Sequence, residues 1–111
     1  SAAKAAVNIL TANLRMDLRM EYPGIKVSLV FPGIVKTDFA ANALGGTPAA
    51  PFRSGGLMRP QEAAEVAVSI SDLIRDPKPE VYTNPALAEI FKTYCGDAAA
   101  FEENMFKRAQ G

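Results

Sequence analysis

The sequence contains no histidine and no tryptophan. Without an imidazole, the commonest general base and metal ligand is gone, and with it the Ser-His-Asp and Cys-His nucleophile pairs and most zinc sets. The single cysteine, Cys95, cannot close an internal disulfide, and a reduced, cytoplasmic compartment is expected. Neither sign of charge is in excess. Twelve Lys and Arg against twelve Asp and Glu cancel, which removes the electrostatic case for nucleic acid or an anionic membrane as partner. No apolar run approaches the roughly 20 residues of a transmembrane helix. Ser1-Ala2-Ala3-Lys4 also lacks the charged-then-apolar layout of a signal peptide.

What is present is ordinary for a globular chain. Of the 111 residues, 49 % are hydrophobic and 22 % charged, enough for one small domain with a modest core. The organising stretch is Ile25 to Thr37, IKVSLVFPGIVKT. Its β-branched and aromatic content and its short length between Pro23-Gly24 and Pro32-Gly33 argue for a strand over Ile25–Phe31. Apolar residues on both of its faces match a parallel strand in an α/β sheet. Ligands in such sheets bind just past the carboxyl ends of the strands, so a candidate site begins at Pro32 and takes in Gly33, Ile34, Val35 and Thr37.

Ahead of this stretch, Ala2 to about Met20 holds no Gly or Pro and is rich in helix formers. Val7, Leu10, Leu14 and Leu18 form an apolar stripe widened by Ile9, Met16 and Met20, with Arg15, Arg19 and Asp17 expected toward water. The stripe suits a core-covering helix or a subunit interface. Lys4 falls in the first turn, where a positive charge opposes the helix dipole.

The run SAAKAAVNILTANLRMDL, then Tyr22-Pro23-Gly24 and IKVSLVFPGIVKTDF, resembles the C-terminal half of a short-chain dehydrogenase/reductase. The resemblance covers roughly the first 75 residues. The active-site signature of that family is a tyrosine, three residues and a lysine. Ser1-Ala2-Ala3-Lys4 matches its last four positions, and the tyrosine position falls immediately before Ser1. The resemblance implies an α/β fold in which this chain is the C-terminal portion of a Rossmann-like doubly wound parallel sheet. It further implies NAD or NADP as cofactor, a small alcohol or carbonyl as substrate, a homo-oligomer joined through the first helix, and no metal. By position in the motif, Lys4 is catalytic and contacts the cofactor ribose. The Pro32-Gly33 turn lies against the nicotinamide, Val35 offers main-chain groups to the carboxamide, and Thr37 offers its hydroxyl. Read from the residues alone, Thr37 is equally a turn or helix N-cap residue.

The stretch 38–59 is small, Gly/Pro-rich and nearly uncharged, and a connection of that length is usually a functional lid or a disordered segment. The family places a substrate-covering loop here. Phe39, Leu44, Phe52, Leu57 and Met58 are candidate lining residues, Arg53 is a candidate anion contact, and Gly45-Gly46 and Gly55-Gly56 are candidate hinges.

A second helix is expected from Pro60, with Glu62 and Glu65 near its positive end and a stripe of Ala63, Val66, Ala67, Ile70, Leu73 and Ile74, stopping at Arg75-Asp76-Pro77. Glu80–Thr83 reads as a strand parallel to the first. Asn84-Pro85 opens a third helix to Cys95, closed by Gly96, and Asp97 caps a fourth to about Ala109. This tail departs from the family, whose members commonly end in an Asp-Gly-Gly turn after the last strand. Its contacts are expected from Leu87, Ile90, Phe91, Tyr94, Phe101, Met105 and Phe106, with Cys95 as a small packed residue. Two functional classes follow: an NAD(P)-dependent oxidoreductase of which this chain is one part, inactive alone, or a non-catalytic association module.

Overall fold

The computed structural model describes residues 2–38 and 59–110. Candidates Phe39, Leu44, Phe52, Arg53, Leu57, Met58 and the two glycine pairs lie outside the described residues. Helix α1 (Ala2–Glu21) is followed by strand β1 (Leu29–Phe31), helix α2 (Ala63–Arg75), strand β2 (Glu80–Tyr82), and helices α3 (Pro85–Gly96) and α4 (Ala98–Gln110). The two strands pair in parallel, with Leu29 opposite Glu80, Val30 opposite Val81 and Phe31 opposite Tyr82. This mixed α/β arrangement is compatible with part of a Rossmann-like fold.

Local chemistry sets the element ends. Tyr22 N–H donates to the Leu18 carbonyl at 2.6 Å and Ile25 N–H to the Tyr22 carbonyl at 2.9 Å, so the chain reverses through Pro23-Gly24. It then runs back along α1, where Arg15 Nε donates to the Val27 carbonyl at 3.0 Å. Asn84 caps α3, its side-chain oxygen accepting from Ala86 N–H at 3.0 Å, with Pro85 next to it in the first turn, where a missing N–H costs nothing. Asp97 does the same for α4, accepting from Ala100 N–H at 2.9 Å.

Four expectations are corrected. Strand β1 spans three residues instead of Ile25–Phe31: the ladder begins where Leu29 N–H reaches the Pro79 carbonyl, and Ile25 is exposed instead of covered. Helix α2 starts at Ala63 instead of Pro60, because the Gln61 backbone is committed to a bridge with Val35. In α1 the apolar stripe faces outward. Val7, Leu10 and Leu14 are exposed, whereas Asn8, Thr11, Ala12, Arg15 and Leu18 are half-buried, so Arg15 points in toward its carbonyl and not toward water. Cys95 is exposed, not packed.

Packing is thin. Among the described residues only Leu73 is a buried hydrophobic, at 7 % exposure, while Gln61, Thr83 and Asn84 are buried polar residues. Phe31 and Tyr82, adjacent in register, stack with centroids 4.5 Å apart, and Tyr94 meets Phe101 edge-on at 5.7 Å across the α3 and α4 pair. The radius of gyration is 16.7 Å, against about 13 Å for a compact domain of this length. Among the described residues, the best-buried group is therefore a polar cluster just past the strand ends.

Candidate functional site

The segment after β1 is held in an extended course by Gln61. Gln61 N–H donates to the Ile34 carbonyl at 2.8 Å, and its carbonyl accepts from Lys36 N–H at 2.9 Å. In a parallel bridge these bonds come from the residues on either side of the one paired. Val35 is that residue, so its own N–H and C=O face the opposite side, and neither has a partner among the described residues. A donor and an acceptor in one residue, held rigidly in a half-buried position, can recognise a group that carries both, such as a carboxamide.

The Gln61 side chain anchors this arrangement to the end of β2. Gln61 Nε2 donates to the Thr83 carbonyl at 2.9 Å and Thr83 Oγ1 donates to Gln61 Oε1 at 2.7 Å, while Thr83 N–H extends the ladder to the Phe31 carbonyl at 3.1 Å. Asn84 Nδ2 reaches the Arg59 carbonyl at 3.3 Å, which ties the incoming chain to the same spot. The Gln61, Thr83 and Asn84 side chains thus all have partners, as burial requires. Gly33 fits against this cluster: a Cβ built there would lie 3.3 Å from Asn84 Cβ, tighter than an ordinary contact. Close approach to Asn84 is therefore one reason for glycine at this position.

The start of α2 adds charge. Glu65 Oε2 accepts from Glu62 N–H at 2.7 Å, and its other oxygen pairs with the Arg59 guanidinium. The backbone hydrogen bond first, then the Arg59 side-chain bond, hold the Glu65 carboxyl below its ordinary range. Lys36 pairs with Glu62 across the bridge.

The structure gathers Pro32, Gly33, Ile34, Val35 and Thr37 on one segment past the carboxyl end of β1, with Pro32, Ile34 and Thr37 exposed. Lys4 sits on the exposed first turn of α1, and among the described residues no hydrogen bond or ion pair joins it to that segment. Gln61, Thr83 and Asn84 were missed from sequence, because a single polar side chain after a gap of twenty-odd residues carries no local signal that it will be buried. Tyr82 is no substitute for a reactive phenol: burial above all, then the Glu80 charge, pushes its hydroxyl up, away from the pKa a proton shuttle needs. Among the described residues no cluster of acidic or Cys side chains could hold a metal, and no helix is long and apolar enough to cross a membrane.

Comparison with known proteins finds two with a similar sequence. The human protein named dehydrogenase/reductase SDR family member 11 is 33 % identical over 73 residues, covering 63 % of this chain and 28 % of the human one. The bovine protein of the same name matches at 33 % over 73 residues, covering 63 % and 29 %. Over that segment the chain is related to the short-chain dehydrogenases/reductases. It spans less than a third of the length of these relatives. No family profile matches the chain, and no solved structure does. The Gln61 bridge supplies a physical reason for a fixed turn after β1 where the sequence alone showed only Pro-Gly.

Proposed function

We propose that this chain contributes the lysine and the nicotinamide-facing turn of an oxidoreductase of the SDR type, moving hydride between NAD(P) and an alcohol or carbonyl substrate. The observation that carries the reading is Val35. Its main-chain N–H and C=O are turned away from Gln61 and held by the ladder on either side, which fits the paired donor and acceptor of a nicotinamide carboxamide. The human and bovine relatives are named as dehydrogenase/reductases.

When bound, the nicotinamide accepts or supplies the hydride. The residues of this chain orient it and help move the proton. Lys4 is exposed in the first turn of α1, with its ammonium available to a ribose hydroxyl and to a phenol one helical turn before it. A cation at that distance favours phenolate. Bringing a phenol about 3 units toward neutrality takes roughly 4 kcal/mol of differential stabilisation. Thr37 offers a hydroxyl just beyond Val35.

The test uses the full reading frame that contains this sequence. It should oxidise alcohols or reduce carbonyls with NAD(P), and Lys4→Ala should lower turnover by orders of magnitude and weaken cofactor binding. Lys4→Arg should rescue only in part, since a planar fork does not replace a point donor. Near-normal turnover of Lys4→Ala at saturating cofactor would remove Lys4 from the mechanism.

A further inference from the structure

A cavity of about 440 Å³ lies at the amino ends of the strand pair, opposite the Pro32–Val35 turn. Three segments form it: the C-terminal third of α1, the lead-in to β1, and Pro77-Lys78-Pro79 before β2. Its position excludes it as the cofactor site of a parallel sheet, which lies at the carboxyl ends. Four cations, Arg15, Arg19, Lys26 and Lys78, line it, and among the described residues no acidic one does. In a chain whose net charge is zero, that concentration is a local feature and not a consequence of composition.

We propose that this cavity is an anion site for a small molecule that carries a phosphate or carboxylate on an apolar body. Arg15 is the centre of it. Its Nε is fixed on the Val27 carbonyl at 3.0 Å, while Nη2 is buried with no hydrogen-bond partner among the described residues. A buried, unpaired guanidinium nitrogen is rare and costly, and the guanidinium fork matches two oxygens of an oxyanion. Arg19 lies four residues on along the same helix, so the two guanidinium groups repel unless an anion sits between them. Lys26 is held at the cavity by its bond to the Pro23 carbonyl at 2.8 Å. Lys78 reaches Asp76 only at 3.4 Å and has donors to spare for a ligand. Ile25, Val27 and three prolines supply apolar wall, and the volume is in the range of small-ligand pockets. The site owes nothing to the chemistry proposed at the other end.

The full reading frame that contains this sequence, in low-salt buffer, can be titrated with phenyl phosphate, inorganic phosphate and the uncharged analogue benzyl alcohol, with binding followed by ligand-observed NMR. Phenyl phosphate should saturate, inorganic phosphate should bind more weakly, and benzyl alcohol should not compete. Losing the fork in Arg15→Lys should raise the phenyl phosphate Kd about tenfold, the scale of one charge-assisted hydrogen bond. Because Arg15 also braces the β1 lead-in, Arg19→Gln and Lys78→Gln serve as independent variants. Both are exposed, should leave the far-UV circular dichroism unchanged, and should each weaken binding severalfold. Absence of saturation by either phosphate, equal affinity for the uncharged analogue, or unchanged affinity in both exposed variants would overturn the anion site. Equal affinity for the two phosphates would overturn the apolar body.

Discussion

Gln61 and Thr83 exchange two hydrogen bonds in a part of the molecule from which water is nearly excluded. Thr83→Val keeps the shape but leaves Gln61 Oε1 buried without a donor, which should cost about 1–3 kcal/mol. Urea unfolding of the full reading frame would measure it, and in the same variant cofactor affinity should fall as the Val35 segment loosens. Thr37→Val should be milder, on the order of 1 kcal/mol in cofactor binding. Glu65 predicts a pH response. Its carboxyl titrates below the ordinary glutamate range in the folded state, so the stabilisation it gives is present above its unfolded pKa and is lost as pH falls through the lower, folded value. The effect should be modest, since the group is exposed to solvent and salt. Helicity followed from neutral pH downward should fall more steeply below the ordinary glutamate range in the parent than in Glu65→Gln.

At the scale of elements, the helix starts at Asn84-Pro85 and Asp97 and the existence of two parallel strands were legible because caps, breakers and β-branched runs act locally. The inward face of α1 was not legible. Its widest apolar stripe marks a face that wants covering, but the sequence cannot say by what, and here it is Arg15, on the half-buried side, that bonds the segment before β1. The start of α2 was misread for a related reason: Pro60 is a good first-turn residue, but the Ile34–Lys36 ladder claims Gln61 first. The candidate site was legible as a place, the end of a parallel strand, and not as a mechanism of support, since the supporting side chains arrive from 61 and 83. The outward stripe of α1 carries a prediction of its own. Leu10→Lys with Leu14→Lys should shift the chain toward monomer in sedimentation velocity while leaving its helix content in place, because both side chains are exposed in the single chain. Unchanged association would move the subunit contact elsewhere.

For the molecule as a whole, one buried apolar residue among those described and a two-stranded sheet are too little to stand as an independent domain. The chain on its own should therefore bind NAD(P)H no more tightly than millimolar by isothermal titration, since the pyrophosphate and adenosine contacts that dominate affinity in this type of fold come from a glycine-rich turn this sequence does not contain. The strand pair also has a consequence for the order in which the fold assembles. Leu29 meets Glu80 across a separation of 51 residues, and closing a loop of that length costs about 3.5 kcal/mol of chain entropy before a three-rung ladder gives anything back. The four helices need no such closure. Pairing should accordingly be the last event in folding and the first to reverse, so the amides of Leu29 and Thr83, which bridge the strands, should exchange with deuterium ahead of those in the middle of α2.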